Sequence, residues 1–281
     1  MNQKNIRFAF FGTSHIAVYV LEELKTASLM PALIVSPPDK PRGRGLMPQP
    51  VAVSLWASEN NVPLTHTWEA FEKGSWDVAI VVDYGKILPK RMLDIPRRGF
   101  LNLHPSLLPR LRGASPMRSA ILSDEKRTGI TIIQVDEEMD HGPIVAQKEI
   151  VLEWPPRLAQ MEKTLLHAGG KLLADIVPEW VSESIDAHPQ NDDLATYCEK
   201  FSKEDGFLNL KDDPYKNLLK IRAFESWPGT YAMFSRNGKP VRVKILDAYV
   251  GNGSLVIDRV VPSGKKEMPY EEFVRSGAKS V

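Results

Sequence analysis

Asn102 and His104 stand two residues apart in GFLNLHPSLLPRLRG, at the end of an apolar run. In an extended chain alternate residues point the same way, so the carboxamide and the imidazole share one surface while Leu101 and Leu103 face the other. An imidazole titrates near neutrality and can move a proton, and an amide N–H can stabilise an oxygen that gains negative charge. Together they suit a reacting carbonyl. Alone, such a pair could equally satisfy nearby backbone groups, so the surroundings must decide. Pro105 stiffens the chain after the histidine, and Ser106-Leu107-Leu108-Pro109 forms an apolar loop able to wall a flat ligand. Further on, TGITIIQVDEEMDHGP (residues 128–143) reads as a strand that delivers Asp136 and Asp140 into a loop containing Gly142. One of these carboxylates can return to the Asn/His pair. His141 is read as a bystander. His104, Asp140 and His141 are too few and wrongly spaced for a zinc site, so no metal is expected.

These residues need a scaffold. Ile6–Phe11 (IRFAFF) is a continuous apolar run that stops at Gly12-Thr13-Ser14, and HIAVYVLEELKTA then repeats Ile16, Val20, Leu21 and Leu24 at helical spacing. Ala32–Ser36, Val78–Val82 and Gly99–Leu103 read as further buried strands separated by helical or loop segments. The alternation predicts an α/β fold with a doubly wound, mostly parallel, Rossmann-like sheet, whose ligands sit beyond the carboxyl ends of the strands. Asn102 and His104 are at such an end. Gly12 supplies one glycine where a dinucleotide fingerprint needs three, so FFGTSHIA is read as a turn and helix cap.

Beyond Thr131–Val135 and the 144–151 run, Leu158, Met161, Leu165, Leu172, Leu173 and Ile176 can form one apolar helix face. The catalytic domain is therefore expected over residues 1–185, followed by a polar linker over 186–205. Residues 206–281 carry short alternating runs such as PVRVKIL and SLVIDRVV, broken by NGK, GNG and SGK turns, which predict a small β-barrel of OB-like type.

The whole chain has 36 Lys and Arg against 35 Asp and Glu, so bulk charge argues for neither a generic nucleic-acid binder nor an acid-binding surface. The balance is uneven, however. Residues 206–281 hold 13 basic against 8 acidic side chains, an excess of five, which leaves residues 1–205 at −4. Cys198 is the sole cysteine, which excludes an internal disulfide. The start MNQKNIRFAFFG lacks a signal-peptide pattern and no apolar run approaches the length of a membrane span, so a cytoplasmic protein is expected.

From Gly99 to Ile144 the chain resembles the folate-dependent formyltransferases, whose shared pattern is Asn-x-His, then Ser-Leu-Leu-Pro, then an Asp in a loop ahead of a glycine. The resemblance implies that Asn102, His104 and Asp140 are the catalytic trio and that Ser106, Leu107, Leu108 and Pro109 hold the donor, 10-formyltetrahydrofolate. Ser36–Val53 reads SPPDKPRGRGLMPQPVAV, similar to an insertion that members acting on methionyl-tRNA place after their second strand. On that likeness Lys40, Arg42 and Arg44 approach the acceptor stem. RLRGASP, DYGKILP, ATYCEKFSKED and IRAFESWPGTY resemble the same branch, so the likeness spans nearly the whole chain. It implies formyl transfer to initiator methionyl-tRNA by a monomer whose small basic domain binds tRNA. Three cations on a Pro/Gly-rich loop suit phosphate contacts independently of any likeness. The alternatives are a sugar-nucleotide N-formyltransferase, which the basic insertion disfavours, and a non-catalytic RNA-binding relative, which the intact trio disfavours.

Overall fold

The computed structural model describes residues 6–38, 40–42, 47–198 and 200–280. The chain forms two compact units: residues 1–113, 127–151 and 162–197 make the first, and residues 114–126, 152–161 and 198–281 the second.

The first unit begins with β1 (Phe8–Gly12), every residue of which is buried. Ser14 caps α1 (His15–Thr26) by accepting a hydrogen bond from the Ile16 backbone N–H, and Ala17, Val20, Leu21 and Leu24 form its buried stripe. There follow β2 (Leu33–Val35), a short antiparallel pair β3 (Lys40–Arg42) and β4 (Met47–Gln49), α2 (Ala52–Glu59), β5 (Leu64–Thr65), α3 (Glu69–Glu72), β6 (Val78–Val82), α4 (Lys90–Leu93) and β7 (Phe100–His104). After α5 (Pro116–Leu122), the chain returns as β8 (Thr128–Gln134) and β9 (Ile144–Ile150). The main sheet has the order β5-β2-β1-β6-β7-β8-β9. β5, β2, β1, β6 and β7 are mutually parallel, whereas β8 runs antiparallel to both β7 and β9.

Continuous apolar strands are explained by what covers the two faces. On one, Phe11 meets Phe71, Tyr84 and Phe100 edge-on at 4.9, 5.2 and 5.2 Å between ring centres. On the other lies α6 (Leu158–Val181). Gly169 of α6 passes so close to β7 that a Cβ there would sit 2.5 Å from the Leu103 side chain. Leu103 therefore packs on α6, and period two sends Asn102 and His104 to the opposite surface. The expected α6 face differs in detail: Leu158, Met161, Leu165 and Leu173 are buried as the spacing predicts, but Leu166 and Val177 are buried while Leu172 and Ile176 are only partly covered.

In the second unit, α7 (Pro214–Ala223) precedes β10 (Thr230–Arg236), β11 (Lys239–Gly251), β12 (Ser254–Pro262), β13 (Met268–Pro269), α8 (Tyr270–Arg275) and β14 (Ala278–Ser280). These strands form an antiparallel sheet of order β13-β12-β11-β10-β14, irregular between Ile245 and Ala248 on β11. Ala232, Phe234, Val243, Ile245 and Val260 turn inward with Phe273 of α8. Arg242 and Lys244 alternate outward, and the Arg242 guanidinium lies 3.5 Å from the centre of the Tyr231 ring.

Candidate active site

β7 ends on His104, and β8 pairs Ile133 with Asn102 and Thr131 with His104. The imidazole is almost fully buried, at 5 % exposure. Its Nε2 lies 2.9 Å from the Leu111 carbonyl oxygen. A carbonyl can only accept, so Nε2 carries the proton and donates. That leaves Nδ1 facing Asp140, 3.5 Å from Oδ1. Asn102 Nδ2 donates to the same Oδ1 at 3.3 Å, and the Gly113 backbone N–H donates to Oδ2 at 2.7 Å. Asn102, His104 and Asp140 therefore meet in one corner; of the two carboxylates that the residues alone left open, it is Asp140, the one the family resemblance implied, that reaches the pair. The imidazole and the carboxylate thus face one another directly beside the Asn102 amide.

The loop after β7 is held from within. The Ser106 hydroxyl donates to the Arg110 carbonyl at 2.7 Å, the Ser106 carbonyl accepts from Thr131 Oγ1 at 2.7 Å, and the Leu108 N–H donates to the same Thr131 oxygen at 3.1 Å. Gln147 of β9 donates to the Leu108 carbonyl at 2.8 Å. Ser106 and Leu108 are buried, whereas Leu107 and Pro109 are half-buried and present apolar surface. Leu111 has a φ of 59°, an uncommon left-handed setting that aims its carbonyl at His104.

The Asp140 loop shows why a glycine follows. A Cβ on Gly142 would lie 1.8 Å from the Gln134 carbonyl oxygen, so only glycine lets the chain fold back tightly over the end of β8. Asp140 itself sits at a φ of 53°. Its conformation is supported by a segment that lies far away in sequence and that sequence reasoning reads as linker. Gln190 Nε2 donates to the Asp140 and Gly142 carbonyls, each at 2.8 Å. Gln190 Oε1 accepts from Arg112 Nε and Nη2 at 3.1 and 2.8 Å. Arg112 is 2 % exposed and also pairs with Asp192 at 2.7 Å. The same segment forms backbone bonds between His188 and Ile144, from Arg112 to Thr196 and from Thr196 to Pro109.

His141, read as a bystander to the chemistry, has a structural place. Its Nδ1 lies 2.6 Å from Asp136 and its Nε2 3.5 Å from Asp192, so it joins the Asp140 loop to that segment. The hydrogen bond to Asp136 raises its pKa above the ordinary 6.5, with the Glu138 and Asp192 charges adding to the effect. Sequence pattern did not mark Arg112, Gln190 or Asp192, because none lies in a local motif shared with Asp140.

A second polar corner lies at the ends of β1 and β6. Asp83, at a φ of 49°, accepts a hydrogen bond from the Ser14 hydroxyl. His15 Nε2 approaches Glu162 at 3.1 Å, and Glu162 is buried. The Asp83 side chain stays exposed, yet desolvation by the groups around it raises its pKa above 3.8; the hydrogen bonds from the Ser14 hydroxyl and backbone and the nearby His15 work against that rise, and Glu162 adds to it. Lys40 and Arg42 lie on β3, while Arg44 falls outside the described residues. Among the described residues, no three His, Cys, Asp or Glu side chains are placed to hold a metal ion, and no helix is long and apolar enough to cross a membrane.

A mostly parallel sheet carries the Asn/His pair at one strand end, facing Asp140, and residues 4–177 match the formyl transferase family. The chain belongs to that family. It is 38 % identical over 268 residues to the methionyl-tRNA formyltransferase of Thermus thermophilus, covering 92 % of this chain and 86 % of that one. It is 33 % identical over 294 residues to the enzyme of the same name from Thermotoga maritima, covering 95 % and 94 %. The fold resembles the solved N-formyltransferase of Helicobacter canadensis, in complex with folinic acid and dTDP-3-aminofucose, with a TM-score of 0.66 at 18 % identity over 88 % of each chain.

Proposed function

We propose that this protein transfers the formyl group of 10-formyltetrahydrofolate to the α-amine of the methionine esterified to initiator tRNA. One observation carries the chemistry: Asn102, His104 and Asp140 converge on a corner where an amide donor adjoins an imidazole and a carboxylate that face each other. The neutral amine attacks the formyl carbon, and the carbonyl electrons move onto oxygen. Asn102 uses one Nδ2 hydrogen on Asp140 and offers the second to this oxyanion. The new C–N bond leaves a positive nitrogen, whose proton passes to the His104/Asp140 pair. As the carbonyl re-forms, the bond to folate N10 breaks and the pair returns the proton to that nitrogen. Nε2 of His104 stays committed to Leu111 throughout, so the imidazole acts through Nδ1.

For the donor, Leu107 and Pro109 offer apolar surface, while Ser106 and Leu108 shape the loop from beneath. For the acceptor, Lys40, Arg42 and Arg44 suit the phosphates of the acceptor stem, and the exposed Arg242 and Lys244 beside Tyr231 suit further backbone. We assign the reaction to a cytoplasmic monomer. The 38 % identity to an enzyme named for methionyl-tRNA favours this acceptor over an amino-sugar nucleotide.

The test is single-turnover formyl transfer to charged initiator tRNA, with an amino-sugar nucleotide as competitor and His104→Ala as control. Formylated tRNA is expected, together with a loss of about 10²- to 10⁴-fold in the control. Reaction of the sugar alone would overturn the acceptor, and an undiminished His104→Ala rate would overturn the site.

A further inference from the structure

We infer that Gln190 is a positioning residue for Asp140, locked in orientation by the buried Arg112. The inference rests on the formyl-transfer reading above. A primary carboxamide has two N–H donors and one oxygen with two acceptor directions, and here all four are used. Both hydrogens go to the Asp140 and Gly142 carbonyls, and the oxygen takes Arg112 Nε and Nη2. Arg112 has no acceptor, so it can face only the oxygen of Gln190, and the amide cannot turn over. The two donors are thereby aimed at the loop carbonyls.

That loop needs aiming. Asp140 occupies a left-handed conformation that a non-glycine residue adopts only when its surroundings hold it there. Its side chain is held by Gly113 and Asn102, but its backbone carbonyl and that of Gly142 are held by Gln190. The tripeptide Leu111-Arg112-Gly113 thus reaches both His104 and Asp140. Leu111 fixes His104, Gly113 fixes the Asp140 carboxylate, and Arg112 acts through Gln190 on the Asp140 main chain. Asp192 closes the arrangement from outside by taking Arg112 on one oxygen and facing His141 with the other.

Gln190 is half-buried in an irregular segment, so substitutions there leave the core intact. Gln190→Glu keeps the shape and the oxygen for Arg112 but removes the two donors, and Gln190→Met keeps only the size. Both are expected to lower kcat by about ten- to a hundredfold, with KM for charged tRNA and for the donor within about twofold of the parent. Both are also expected to move a limb of the pH–rate profile, while the thermal midpoint stays near that of the parent. Asp192→Asn, on the exposed side of Arg112, should give a smaller loss of kcat in the same direction and likewise leave KM unchanged.

An isosteric variant with the parent's kcat and pH profile would overturn the inference. So would a rise in KM for tRNA at constant kcat, which would make the segment an RNA contact. A Gln190 variant that loses its fold leaves the decision to Asp192→Asn, for which unchanged kcat is the negative result. Failure of the formyl-transfer reading shows separately, in the parent enzyme: if it formylates only an amino-sugar nucleotide, the same ratios measured on that acceptor still decide the role of Gln190.

Discussion

Asp140 and Asp83 are the same residue in nearly the same backbone conformation, with φ of 53° and 49°, each at the end of a strand passage in the same sheet. Their surroundings separate them. The Asp140 carboxylate takes a backbone N–H and an amide N–H and faces an imidazole nitrogen, with its side chain only 13 % exposed. Asp83 is exposed, takes the hydroxyl and the backbone N–H of Ser14, and otherwise lies near the opposed charges of His15 and Glu162. The Asp140 carboxylate is held by donors from several directions. At Asp83 the donors come from Ser14 alone, and desolvation by neighbouring groups outweighs them, so its charge opposes folding.

Making the same substitution at both corners gives the widest contrast. Asp140→Asn should lower kcat by about 10²- to 10⁴-fold, because the neutral amide cannot share a proton with His104, and this is read in a single-turnover assay. Asp83→Asn should leave kcat unchanged. A smaller effect on both stability and rate is expected from Gly142→Ala, whose Cβ would meet the Gln134 carbonyl at 1.8 Å. A destabilisation on the order of 2 kcal/mol is expected in denaturant unfolding. A rate loss of about tenfold should accompany it as the Asp140 loop shifts.

The subtlest prediction concerns stability against pH. Because the folded Asp83 titrates above its unfolded value near 3.8, ionising it opposes folding. Its penalty is absent below that value, grows as pH rises toward the raised folded pKa, and is complete above it. Asp83→Asn, which keeps an acceptor for Ser14 and tolerates the left-handed backbone, should therefore raise the thermal midpoint at neutral pH. The gain should vanish in acid. A neutral-pH midpoint below the parent's would show that Asp83 is held by favourable partners after all and would erase the distinction between the corners.

How much of this was legible in the sequence follows from the range of each interaction. The strand pair Asn102 and His104 was readable because period two is local, and the cap at Ser14 because it lies beside the helix it caps. The loop after β8 narrowed the carboxylate to Asp136 or Asp140, and only the family resemblance singled out Asp140. Gln190 and Asp192 were not legible, since polar residues before a second unit look the same whether they are solvated or folded against a site about 50 residues earlier, and Arg112 was visible only as part of the RLRGASP likeness, without its partner. The role of His141 was hidden for the same reason, as one of its two partners is Asp192. Asp83 carried no signal either, for crowding at the ends of β1 and β6 is a property of the closed sheet.

The return of residues 188–197 to the first unit also sets an order of events during synthesis. The main sheet is complete when Ile150 has emerged, and the family match is complete at residue 177, yet Gln190 and Asp192 are still to come. A nascent chain, or a fragment cut at the end of α6, would own every member of the trio and lack the residues that hold one of them. The compact unit that carries the main sheet is therefore longer than the sheet and helices that define the fold, and it extends through Tyr197.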